Sequence, residues 1–167
     1  MIIIGSLSIP FPAGFDANVS YKKLAAKTIL RSKNGTGIMA SRWKKLGVTL
    51  SGTGWLPDGL DSIDEDALVD VHSTGYLSTA SASNVITIPR VFRTDDFAPK
   101  GQAVVDNVMV ETSAVMAGQI ATLGVIAGAT QYHVLYCPII SSFINTVDRS
   151  YDESSNTWSW TIEAEEQ

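Results

Sequence analysis

The sequence predicts an all-β protein: a single-domain β-sandwich or barrel with a projecting β-hairpin and at most one short helix. Three observations carry that reading. Short β-branched runs recur along the chain, separated by glycine, proline and asparagine, which is how sandwiches and barrels are punctuated. Asn34-Gly35 stands between two extended runs, the strongest short-range hairpin signal. Residues 157–164 (TWSWTIEA) alternate with a clean period of two, placing Trp158, Trp160 and Ile162 on one face of a half-buried strand.

In chain order, residues 27–33 (KTILRSK) and 36–42 (TGIMASR) flank the Asn-Gly turn. A two-residue type I′ loop there pairs Lys33 with Thr36, Arg31 with Ile38 and Leu30 with Met39. One face of this hairpin carries Lys27, Ile29, Arg31 and Lys33, too mixed for an ordinary core face, so residues 27–42 are expected to project and pair with a neighbour. Residues 46–51 (LGVTLS) form the next strand and stop at a segment dense in turn formers, 52–59 (GTGWLPDG). Residues 67–72 (ALVDVH) return to strand-like alternation. Pro89 confines the run 84–92 (NVITIPRVF) to an edge or a strand end. The runs 103–111, 113–116 and 119–126 follow, with turns at Gly118 and at residues 127–129. An extended segment, 131–146, bends at Pro138, and residues 144–164 close the chain as a C-terminal hairpin. Only residues 21–30 compete as a helix, for about three turns, since lysine, leucine and alanine favour it. Without an internal repeat or a linker, residues 1–167 are expected to form one β domain.

Composition narrows the function. The hydrophobic fraction is 45% but the charged fraction only 17%, against the ~25% usual for a free globular chain. So few charges suit a surface covered by partners, with a slightly apolar monomer as the alternative. A net charge of −5 speaks against general binding to a phosphate backbone. No stretch reaches the ~20 apolar residues of a membrane helix, and residues 1–5 lack a basic n-region, so synthesis in a cytoplasm is expected. The single cysteine, Cys137, lies in an apolar run and reads as a core thiol.

Charge is segregated. Residues 21–45 hold eight basic side chains and no acid, residues 58–70 six acids and no base, and residues 148–167 six acids against Arg149. The two signs either neutralise each other within one subunit or meet between subunits in a head-to-tail contact that closes into a ring.

No constellation for catalysis, cofactor or metal emerges. His72 and His133 sit in separate strands among apolar residues. Residues 61–66 lack the glycine and the bidentate glutamate of a calcium loop. Residues 52–54 (GTG) lack the lysine of a phosphate loop. Asp95-Asp96, read as a strand pair, points its carboxylates to opposite faces. The chain is expected not to be an enzyme and to need no cofactor. A carbohydrate-binding module stacking sugars on Trp43, Trp55, Trp158 and Trp160 is the alternative from another class. Because Trp158 and Trp160 share a face with Ile162, core packing is the expected role of all three.

Two stretches resemble a known family. The first comprises residues 31–36 (RSKNGT), Trp43-Lys44-Lys45-Leu46 and residues 51–61 (SGTGWLPDGLD). The second comprises residues 125–132 (VIAGATQY) with Tyr136-Cys137-Pro138 and the terminal residues 158–166 (WSWTIEAEE). Both are similar to segments of bacteriophage tail and baseplate proteins. The resemblance implies a tail-tube-like fold and a structural virion protein of the distal tail. Such a subunit is a ring-forming tail-tube or baseplate-hub component of a contractile tail, helping to build the channel for DNA ejection. Its implied partners are copies of itself, as a trimer or hexamer, the tail tube and other baseplate proteins, with phage DNA passing without specific binding and no membrane. It would be assembled in the bacterial host cytoplasm and reside in the virion. A head–tail joining or tail-completion protein shares the same physics. On this reading Arg31, Lys33, Asn34, Gly35, Ile38, Met39, Arg42 and Trp43 are the expected oligomer interface.

Overall fold

A computed structural model describes residues 1–10 and 16–167. Among the described residues the fold is almost entirely β, with several antiparallel sheets and no closed barrel. The strands are β1 (Ile2–Ile4), β2 (Leu7–Ile9), β3 (Asp16–Arg31), β4 (Gly37–Gly54), β5 (Leu68–His72), β6 (Leu77–Ser81) and β7 (Val85–Thr87). They continue with β8 (Lys100–Val105), β9 (Val108–Thr112), β10 (Ala114–Ala117), β11 (Ile120–Leu123), β12 (Ala129–Tyr136), β13 (Ile139–Asp152) and β14 (Thr157–Glu166). A single 3-10 turn, Leu60–Ser62, is the only helical element among the described residues.

The chain divides into two compact units, Met1–Ser6 with Asp70–Ile140, and Leu7–Val69 with Ser141–Gln167. In the first, β6-β12-β8-β9 form one sheet and β10-β11-β7 another. Ile86, Ile88, Ala121 and Leu123 from the smaller sheet and its flank share a core with Ala103, Tyr132, Val134 and Tyr136 from the larger. Those side chains alternate with more accessible ones along their strands, as two facing sheets require. The thiol of Cys137 is also buried, and that burial pushes its pKa up to about 11.

In the second unit β13, β14, β4 and β3 pair in that order. Rows of directly opposed residues cross these strands: Val19, Leu50, Ile162 and Val147 form one, Tyr21, Val48, Ala164 and Ile144 the next. Leu46, Val48 and Leu50 on β4 and Trp160, Ile162 and Ala164 on β14 are buried. The Trp160 ring lies over Gly52, where an added Cβ would come within 2.6 Å of it. Glycine is therefore what lets the indole lie flat on its neighbouring strand.

Three local expectations change. Residues 21–30 are strand, not helix, because β3 pairs with β4 from Asp16↔Thr53 to Arg31↔Gly37 and cross-strand pairing overrides helix propensity. The hairpin register is one residue off the type I′ expectation: Leu30 faces Ile38 and Ile29 faces Met39. The cause is a three-residue loop. Gly35 N–H donates to the Ser32 carbonyl at 2.9 Å, Ser32 N–H to that of Thr36 at 3.0 Å, and Gly35 alone takes a positive φ of 82°. That is a type I turn closed by a left-handed glycine. The two-residue turn occurs instead at Asp106-Asn107, with φ of 50° and 63°, where Val105 faces Val108 and the run 103–111 folds back as β8 and β9.

Candidate assembly interface

β14 accompanies β4 only as far as Glu165↔Gly47; beyond it β4 pairs with β3 alone. The continuation, from Leu24↔Lys45 to Arg31↔Gly37 and the turn, is a two-stranded arm extending roughly 25 Å at ~3.3 Å per residue. A bulge between Ala26 and Lys27 leaves Arg42 as the extra residue of β4, a feature that increases local twist. All eight residues expected at an interface lie on this arm and all are exposed: Arg31, Lys33, Asn34, Gly35, Ile38, Met39, Arg42 and Trp43.

Both faces of the arm are apolar at the same level. Ile29 opposes Met39 on one, Leu30 opposes Ile38 on the other. Ile38 is 60% exposed and Met39 65%. A ribbon with exposed aliphatic pairs on two faces gains little from folding on its own, since an isolated two-stranded hairpin is marginal in water. The turn is nonetheless well formed, with Arg31 Nη1 donating to the Gly35 carbonyl at 3.2 Å and Ser32 Oγ to Asn34 Oδ1 at 2.8 Å. Six basic residues, Lys27, Arg31, Lys33, Arg42, Lys44 and Lys45, and no acid lie on the arm, the first four nearest the apolar pairs.

At the root of the arm the last residues of the chain contact β4. Glu166 accepts the Leu46 N–H at 2.7 Å, and Lys45 Nζ donates to the carbonyl of Gln167. The opposite end of the same strands has a different character. There Asp16 pairs with Thr53, Trp158 with Gly54 and Asp152 with Thr157, and β4 runs out into the exposed Trp55. Asp61 forms an ion pair with Arg149, which anchors the acidic segment after β4 to this end.

Among the other sequence candidates, Trp160 and Ile162 are buried, while Trp158 is half-buried and packs against the Tyr151 ring at 4.9 Å. The four tryptophans form no common platform, since Trp43 lies on the arm, Trp160 is buried, and Trp55 and Trp158 fall at the far end. Asp95-Asp96 lies in a turn rather than a strand, and Asp95 is committed to Arg93 at 2.6 Å, which holds its carboxyl below the usual range. Sequence reasoning missed Arg93 itself. Its buried guanidinium donates to the carbonyls of Met1 and Ser73 at 2.9 and 3.2 Å, tying β1 to the end of β5. A lone arginine in a β-branched run gives no warning of such a role. Among the described residues no three histidine, cysteine or acidic side chains converge to hold a metal.

No family model, curated protein or solved structure matches the chain.

Proposed function

We propose that this chain is a structural subunit of a bacteriophage tail. It assembles into a ring of the tail tube or baseplate hub and helps to build the channel for DNA ejection. The observation that carries the reading is the arm: a two-stranded ribbon with an exposed apolar pair on each face that no other described strand covers. Such a surface is stabilised by burial against another protein. The low charged fraction of 17% and the resemblance of residues 31–36, 43–46 and 51–61 to tail proteins support the same class. Catalysis plays no part in it.

The test is assembly of the purified chain, followed by sedimentation velocity and by electron microscopy of the largest species. A closed ring with a central opening is the expected result. A chain that stays monomeric at high concentration, both alone and with tail-tube protein from the same virion, overturns the reading. Rings found at the head–tail joint of the virion instead of its distal end favour a joining protein.

A further inference from the structure

We propose that the tip of the arm docks on the opposite end of the β13-β14-β4-β3 strands of a second copy of this chain; this rests on the assembly reading above.

The strand order makes the subunit polar. The arm leaves at the end where Gly47 faces Glu165, and the turn of the β13–β14 hairpin lies at the other, where Gly54 faces Trp158. About eight residue pairs of sheet, roughly 25 Å, separate the two. Basic and acidic side chains are distributed the same way. The tip of the arm carries Lys27, Arg31, Lys33 and Arg42 with no acid. The far end carries Asp16, Asp58, Asp152 and Glu153, all exposed. Arg149 is the nearby base, and it is taken up by Asp61.

Apolar surface follows charge. The arm presents Ile29 with Met39 and Leu30 with Ile38, and the far end presents Trp55, 73% exposed, and Tyr151. Aromatic faces beside carboxylates suit a partner that offers aliphatic side chains and guanidinium groups together. The arm cannot reach its own acidic end, because it points away from it along the same strands. Complementarity is therefore satisfied only between copies. A contact that joins one end of a subunit to the other end of the next is heterologous, and it generates a ring if the rotation closes.

Two charge-reversed proteins test this: Lys27→Glu/Lys33→Glu on the arm and Asp58→Lys/Glu153→Lys at the far end. Asp152 is left alone because its turn depends on it. Thermal melting confirms that each variant folds, and sedimentation velocity at low salt reads association. Each variant alone is expected to associate about tenfold more weakly than the wild-type chain, or worse, because like charges then face each other. An equimolar mixture is expected to recover association, since each reversed surface then meets its complement. Wild-type assembly with both variants assembling equally well overturns the docking surface while the assembly reading stands. Loss in both variants without recovery on mixing also overturns it, because general repulsion then explains the loss. A wild-type chain that remains monomeric overturns both proposals together.

Discussion

The inner and outer halves of β4 belong to one strand yet are built on different rules. From Leu46 to Gly52 every second residue is buried, and β14 lies alongside. From Gly37 to Lys45 only Ala40 and Lys45 are partly shielded, and apolar side chains occupy both faces. Alternation needs a core on one side only, so the inner half reads as a finished sheet. An outer half with isoleucine on one face and methionine on the other has no inside of its own. The contrast separates residues buried within the chain from exposed ones that the assembly proposal assigns to a neighbour.

Removing the centre of the inner half gives the largest expected effect. Trp160 is 2% exposed and lies across Gly52. Trp160→Ala is expected to cost about 3–5 kcal/mol, from lost burial and from the cavity left over a glycine that cannot fill it. Equilibrium urea unfolding of the monomer measures this. A change below 1 kcal/mol would mean that the inner half is not the stabilising region, and the contrast along β4 would fail.

The outer half is expected to respond in the opposite sense. Ile38→Ser/Met39→Ser removes two large apolar side chains, yet both are already in water, so monomer stability is expected to move by no more than about 0.5 kcal/mol. Association is expected to drop sharply. In hydrogen exchange of the monomer, amides of residues 29–39 are expected to exchange far faster than those of β14, because the arm's hydrogen bonds open without unfolding the core. Equal protection would show that the arm is stable alone and needs no partner.

How much of this was legible in the sequence depended on whether a pattern was local. The period of two in residues 157–164 became β14, with Trp160 and Ile162 buried, because alternation is a direct imprint of a one-sided core. The projecting hairpin was legible for the converse reason, its mixed faces. Its register was not, because Asn34-Gly35 fits either a two-residue loop or a three-residue loop with glycine last, and backbone hydrogen bonds at Ser32 select the second. Segregation of charge was equally plain, but the placement of the arm's bases and of Asp152 and Glu153 at opposite ends follows from β14 lying between β13 and β4, a non-local pairing. Arg93 was invisible, since its partners at Met1, His72 and Ser73 are distant in sequence.

The smallest expected effect sharpens the comparison at the two turns. The arm's turn is held by backbone bonds, one glycine and side-chain bonds from Arg31 and Ser32, whereas the turn after β13 is held by a carboxylate. Asp152 Oδ1 accepts from Ser154 N–H at 2.9 Å and from Ser154 Oγ at 2.7 Å, and Oδ2 accepts from Ser155 Oγ at 2.7 Å. These donors favour the charged form and lower its pKa from the ordinary 3.8 to about 2, led by the Ser154 hydroxyl. Because the folded value lies below the unfolded one, the turn's contribution is fully present above pH ~4 and is lost as pH falls through about 2. The group is fully exposed, so solvent screens it and the change in global stability is expected to be slight. The pKa itself is the better observable. Ser154→Ala is expected to raise it toward the ordinary value in a carbon-detected NMR titration of Asp152, and Ser155→Ala to raise it less. An unmoved titration in both variants would mean that the serines do not hold the carboxylate, and that the two turns differ only in sequence.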